Sequence, residues 1–290
     1  MKNIDDLVYG HKQAKKVLQV LINRSKERYY KKCIKGLEEY PERLNCLLIG
    51  QSGTGKTHLI KSMAKIYDFP LLCIDATELM PTGNDTGLNR KQLRKLIFDT
   101  AKDLTNKPQY HSMEGVLNQM IIFVDEFDKL GTSFDSSGNW NKHVQSSFLT
   151  MIENTEELGG ISWVFAGAFS GIYENKNIKK NSIGFFEQPE ESKPNQEIKE
   201  QDILKAGIIP EMLGRIPLIV QLDDFTIGDY VSVVEQLLET KYSTLTNVNA
   251  LEVAETALSS GQGIRSITRQ LEMVLIDQEA ETPWEMPMPF

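Results

Sequence analysis

The 290-residue sequence predicts an α/β fold: a central parallel sheet flanked by helices, followed by a small all-helical domain. Short apolar runs of strand length alternate with stretches of helical spacing, the pattern of parallel strands joined by crossover helices. The first of these runs ends in a glycine-rich turn that opens directly into a helix. Beyond residue 223 the strand-sized runs stop and only helical spacing is left.

Residues 11–40 read as a Lys- and Arg-rich helix, with Val17, Leu18, Leu21 and Ile22 spaced for one buried face. Leu44–Ile49 is a short apolar run that suits a buried strand. Helical spacing returns from Lys56 to Tyr67 through Leu59, Ile60, Met63 and Ile66. Leu71–Ile74 is a second strand, Lys91–Asp103 a second helix, and Met120–Val124 the most apolar strand of the set. Phe148–Ile152 belongs to a further helix and Ile161–Phe165 to a fourth strand. Residues 174–202 break the rhythm and read as a long polar loop with one apolar island at Ile183–Phe186. A last strand, Leu218–Leu222, precedes helices through Val231–Leu238, Val248–Leu258 and Ile264–Leu275. The expected division is therefore a large α/β domain over 1–222, a small helical domain over 223–282 and a proline-bearing tail over 283–290.

Apolar residues make up 40% of the chain and charged residues 25%, enough apolar material for a sizeable core. The formal net charge of −8 speaks against a broad basic face for duplex nucleic acid. Cys33, Cys46 and Cys73 lie far apart with no CxxC pair, so neither a disulfide framework nor a structural zinc site is expected. The charged amino terminus offers no signal peptide, and no apolar run approaches the roughly 18 residues of a membrane span. These features fit a soluble protein of the reducing cytoplasm.

The strongest local signal is Gly50, Gln51, Ser52, Gly53, Thr54, Gly55, Lys56, Thr57 and His58, which places a full G-x-x-x-x-G-K-T between a strand and a helix. Glycines let the backbone curl so that successive N–H groups point at one phosphate, and the helix start adds partial positive charge. Lys56 reaches the outer phosphates of ATP, and the Thr57 hydroxyl is placed for Mg²⁺. The second signal is the apolar strand that ends in Asp125 and Glu126. Such a strand end alone is more often a solvated edge. About seventy residues beyond a phosphate loop, it becomes a pair in which Asp125 holds the metal and Glu126 activates the attacking water.

On these residues the chain resembles the AAA+ ATPases, specifically the ClpX/HslU unfoldase branch. Val8, Tyr9 and Gly10, followed by Gln13–Leu18, resemble the segment that packs against adenine in that family. Asp75–Thr77 is similar to the end of its second strand, and Gly167–Phe169 to the segment after its sensor-1 strand. Gly207–Arg215 resembles the arginine-finger box, and Gly263–Ile267 the sensor-2 helix. The resemblance implies that Arg215 reaches the γ-phosphate held by a neighbouring subunit and that Arg265 contacts phosphate in its own. Glu211 and Arg215 are four residues apart, which on a helix gives them one face and an ordinary surface ion pair as the alternative reading.

The sequence also departs from that family. The position of the aromatic pore loop holds Gly83, Asn84, Asp85 and Thr86, which cannot grip a generic polypeptide by burying aromatic area. Either these residues recognise a specific partner through hydrogen bonds, or another loop grips, with Phe134–Trp140 the candidate. A polar sensor-1 residue is replaced by Ala166, and neither the zinc-binding domain of ClpX nor the large inserted domain of HslU has a counterpart here. The basic gating loop of ClpX is replaced by the short Asn154–Gly160 turn. Ile183, Gly184 and Phe185 resemble the tripeptide by which ClpX docks its peptidase ring, and could equally fold back on their own domain.

The resemblance thus implies a homohexameric ring that hydrolyses ATP at subunit interfaces to remodel or unfold a protein client. The polar pore position and Ala166 favour a second reading, a nucleotide-gated assembly or binding module with little hydrolysis. A third reading, an ATPase acting on a protein–DNA assembly, is opposed by the net acidity; the basic helix at 12–35 reads as a solvated face.

Overall fold

A computed structural model describes residues 3–79, 88–110, 112–131, 138–153, 156–172 and 197–281. The chain divides into two compact units, residues 1–51 with 56–222, and residues 52–55 with 223–290.

The first unit is built on five parallel strands, β1 (Cys46–Ile49), β2 (Leu71–Asp75), β3 (Ile121–Asp125), β4 (Ser162–Gly167) and β5 (Leu218–Gln221), in the order β2-β3-β4-β1-β5. Their burial explains their composition. The inner strands β1 and β4 are buried along their whole length, and β3 along all but its last residue, as a parallel sheet covered on both faces requires. The edge strands β2 and β5 are only partly covered.

Alternate residues feed two separate cores. Leu47, Ile49, Ile122, Val124, Trp163 and Phe165 face one side. There they meet α3 (Arg90–Leu104), α4 (Met113–Gln119), α5 (Gly138–Glu153), α6 (Glu200–Lys205) and α7 (Pro210–Leu213). Cys46, Leu48, Ile121, Phe123, Val164 and Ala166 face the other side, against α1 (Lys12–Arg28) and α2 (Lys56–Tyr67).

The helix expected over 11–40 is shorter. The α-helix ends at Arg28 and passes into a π-helical turn at Tyr29–Ile34. Its buried stripe ends there too: Tyr30, Ile34, Leu37 and Tyr40 are exposed. Arg28 itself is buried and donates from Nε to Pro41 O (2.8 Å) and from Nη1 to Gly160 O (2.5 Å), tying the helix end to two loops. The stretch expected to be loop over 174–202 closes with α6, and α4 and α7 add two short helices. Ser112 caps α4 by accepting the Gly115 N–H at 3.0 Å, and proline at the first turn starts α7.

The second unit contains α8 (Ile227–Thr240), α9 (Ala250–Ser259) and α10 (Ile264–Glu281) around Val234, Tyr242, Ala254, Ala257, Ile267 and Leu271. Thr226 and Asp229 form a reciprocal capping box at α8, and Asn249 caps α9. Among the described residues no helix is long and apolar enough to cross a membrane.

The three cysteines are free thiols, and burial inside β1 pushes the Cys46 thiol up to about 12. The thiolate is the reactive form, so a native-state thiol reagent at about pH 8 is expected to label exposed Cys73 and half-buried Cys33 but not Cys46. Cys46 should become reactive only with unfolding; equal native labelling of all three would contradict the buried β1.

Candidate nucleotide site

Between β1 and α2 the backbone makes a tight curl. Gly50 N–H donates to Gly167 O at 3.3 Å, holding the start of the turn against the end of β4. Gly53 and Gly55 have φ of +81° and +86°, a region that side chains disfavour, which accounts for glycine at both positions. The helix then begins at Lys56, and a helix start directs backbone N–H groups and partial positive charge toward an anion. The Lys56 ammonium folds back onto Gly50 O (2.6 Å) and Gln51 O (2.9 Å).

Asp125 stands at the carboxyl end of β3, and its Oδ2 accepts the Thr57 hydroxyl at 2.5 Å. This bond brings the start of α2 to the end of the sheet. The other carboxylate oxygen accepts the Glu126 N–H at 3.0 Å. Glu126 itself sits at φ +52°, left-handed for a non-glycine residue, with its side chain exposed. Such a conformation costs of order 1 kcal/mol and persists only where the surroundings impose it. Here Phe127 supplies the anchor. It is fully buried, with its ring 4.7 Å from that of Phe165.

A hydroxyl and a carboxylate are hard oxygen donors that fit Mg²⁺, which takes few protein ligands and completes its shell with water and phosphate. Among the described residues no group of three or more His, Cys, Asp or Glu could hold a metal ion.

Asp128 is a residue beside the candidate site that the motifs did not single out. Its carboxylate accepts the N–H of Ala168 (3.1 Å) and of Phe169 (3.4 Å), linking the turn after β3 to the turn after β4. Phe169 is another non-glycine residue at positive φ, +49°. Gly167 leaves room for this arrangement: a Cβ there would lie 2.7 Å from the Phe169 ring and 2.9 Å from Asp128 Oδ1. A third acid two residues beyond Glu126 is the only signal of this in the sequence.

The amino-terminal segment is fixed beside α2. Val8 is buried in the same core as Leu59 and Ile60, its carbonyl accepts Lys15 Nζ at 2.5 Å, and Tyr9 is exposed. His58 Nε2 lies 3.0 Å from Leu7 O and 3.4 Å from Ser62 Oγ, so its ring is directed to this segment.

Arg215 is placed differently from the expected helical pair with Glu211. The helix α7 stops at Leu213 with Gly214 as its cap, and Arg215 lies beyond it. Its Nε and Nη2 donate to Glu153 Oε1 of α5 at 2.9 and 2.6 Å, and the pair is about half exposed. Its backbone is fixed by Asn45, a buried residue that donates to Arg215 O (2.8 Å) and accepts the Trp163 N–H (3.0 Å). Arg265 is the second residue of α10 in the helical unit, with its side chain exposed. Asn84, Asp85, Ile183, Gly184 and Phe185, and the span from Phe134 through Ser137, lie outside the described residues.

A glycine-rich loop between a strand and a helix, with paired acids at the end of a strand two positions away in a parallel sheet, defines a P-loop ATPase. Residues 46–182, from β1 to beyond β4, match the ATPase family associated with various cellular activities (AAA). Over 97% of its length the chain is 27% identical to the ATP-dependent Clp protease ATP-binding subunit ClpX 2 of Wolinella succinogenes, covering 76% of that protein. The ClpX subunit of Treponema denticola is 26% identical over 97% of the chain and 75% of its own length. That of Azotobacter vinelandii is 27% identical over 99% and 73%. The chain is thus similar to AAA ATPases of the ClpX type along nearly its whole length, which supports an ATP-hydrolysing protein of that kind.

Asp128→Ala is expected to leave two backbone N–H groups unpaired and to lower stability by about 1–3 kcal/mol. A shift of the urea midpoint at constant slope would record it; an unshifted midpoint would show that Asp128 does not hold the Ala168–Phe169 turn.

Proposed function

We propose that the chain works as a homo-oligomeric ring, of six subunits as its resemblance to the ClpX/HslU unfoldases implies, that hydrolyses ATP to remodel or unfold a protein client. In this reading Gly50–Thr57 cradles the phosphates, Lys56 neutralises the outer ones, and Thr57 and Asp125 hold Mg²⁺. The metal supplies charge neutralisation at the phosphates when bound. Glu126 orients and deprotonates the attacking water, Val8 and Tyr9 flank the base, and Arg265 senses the nucleotide. The observation that supports the reading is the Thr57–Asp125 hydrogen bond at the carboxyl end of β3, beside an exposed Glu126.

Arg215 is proposed to serve the site of the adjacent subunit. An exposed ion pair such as Arg215–Glu153 is worth at most about 1 kcal/mol, so exchanging Glu153 for a phosphate costs little. Closed rings arise from head-to-tail contacts, the geometry in which one subunit can complete the site of the next. A protein client and a peptidase-like partner docking through Ile183, Gly184 and Phe185 belong to the same reading. So does a cytoplasmic setting, supported by three separate free thiols.

A second reading, a nucleotide-gated assembly module with little turnover, draws on Ala166. It is fully buried at the end of β4 and offers no polar side chain there. Stimulation of steady-state hydrolysis by protein clients would support the motor, and its absence the module.

Glu126→Gln is expected to bind ATP with unchanged affinity and lose turnover by about a hundredfold or more, measured by phosphate release. Retained turnover in that variant would remove the assignment of Glu126 as the base. Arg215→Ala should lower turnover by about a thousandfold with nucleotide affinity preserved. Wild-type activity per chain should also fall on dilution below the assembly concentration; activity independent of dilution, down to the monomer, would defeat the shared site.

A further inference from the structure

Gln145 lies on α5, fully buried, and all of its side-chain bonding goes to two other segments. Its Nε2 donates to Leu130 O (2.6 Å) and to Gly207 O (3.0 Å), while its Oε1 accepts the Ile209 N–H (2.9 Å). Leu130 ends the 3-10 turn that follows Asp125 and Glu126. Gly207 and Ile209 lead into α7 and so to Arg215. One amide therefore joins the turn behind the acids to the segment that carries the arginine.

The two segments also touch directly. A Cβ on Gly131 would fall 2.2 Å from Ala206 O, so the backbones are in close approach where Gln145 bridges them. Asn141, one turn earlier on α5, donates to Gly131 O at 2.8 Å and holds the same stretch. A displacement of the turn after β3 is passed to residues 206–209 with little room to dissipate, because interiors packed at crystal density transmit strain.

We propose that Gln145 is a positioning residue for hydrolysis. It couples the turn behind Asp125 and Glu126 in one subunit to the placement of its Arg215, and hence to the nucleotide site of the next subunit. The inference deepens the shared-site reading of Arg215 and rests on it.

Gln145→Met keeps side-chain length and removes the three bonds. It is expected to reduce turnover by about a hundredfold, the scale of a misplaced catalytic group, with nucleotide affinity unchanged. Wild-type turnover, or loss of nucleotide binding, in a folded Gln145→Met chain would overturn the proposal.

The decisive measurement is complementation in mixed rings. Arg215→Ala mixed one to one with Glu126→Gln should recover roughly a quarter of wild-type turnover, since half the sites keep Glu126 and half of those face an intact arginine. Failure of that control would sink the shared site itself. Given the control, Gln145→Met mixed with Glu126→Gln should recover the same fraction, because the Glu126→Gln neighbour supplies a correctly placed Arg215. No recovery would show that Gln145 acts on its own subunit's acids and would refute the coupling. Should Gln145→Met fail to fold by circular dichroism, hydrogen exchange at the Ile209 amide of the Glu126→Gln chain decides. A change in protection on adding ATP supports the coupling, and identical protection with and without ATP overturns it.

Discussion

The hydrogen bond from the Thr57 hydroxyl to the Asp125 carboxylate fixes the geometry on which the candidate site depends. Thr57 is set by the glycine-rich turn and the start of α2, and Asp125 by its place at the end of a buried strand. Neither element alone makes a nucleotide site, since a glycine turn is a common loop and an acid at a strand end is commonly solvated. Joined, they put a helix start, an ammonium, a hydroxyl and two carboxylates at the carboxyl edge of one parallel sheet, where open α/β folds take their ligands.

Around that bond the fold uses backbone strain sparingly and braces it. Glu126 and Phe169 both occupy left-handed conformations, on the turns after β3 and β4. Phe127 locks the first by burial against Phe165, and Asp128 locks the second by accepting two backbone N–H groups. The residue left exposed is Glu126, which gives the carboxylate access to solvent while its backbone is held.

Much of this is legible in the sequence because the signals are local. The strand before Gly50, the turn and the helix from Lys56 to Tyr67 sit within one short stretch, and their periodicities do not overlap. The strand ending in Asp125 is legible for the same reason, being apolar on both faces. What is hidden depends on distant partners or on helices too short to show a period. Arg215 looks like the partner of Glu211 until α7 is seen to end at Leu213, after which Glu153 takes the guanidinium. The bonds of Gln145 and Asn45 join segments far apart in the chain, and nothing near either residue announces them. The seven-residue α4 and four-residue α7 cannot establish a buried stripe of their own.

The strand order has a consequence for biosynthesis. β1 is made first but lies between β4 and β5, the last two strands to leave the ribosome. Until Leu218–Gln221 emerges, Cys46–Ile49 lacks its second neighbour and one row of its amides and carbonyls is unpaired. Most of the large unit is therefore synthesised before the strand that closes this side of β1. Long-range parallel pairing of this kind folds slowly and exposes apolar edges to other chains. A nascent chain stalled before residue 218 would be a client for the same cellular machinery that handles misfolded proteins.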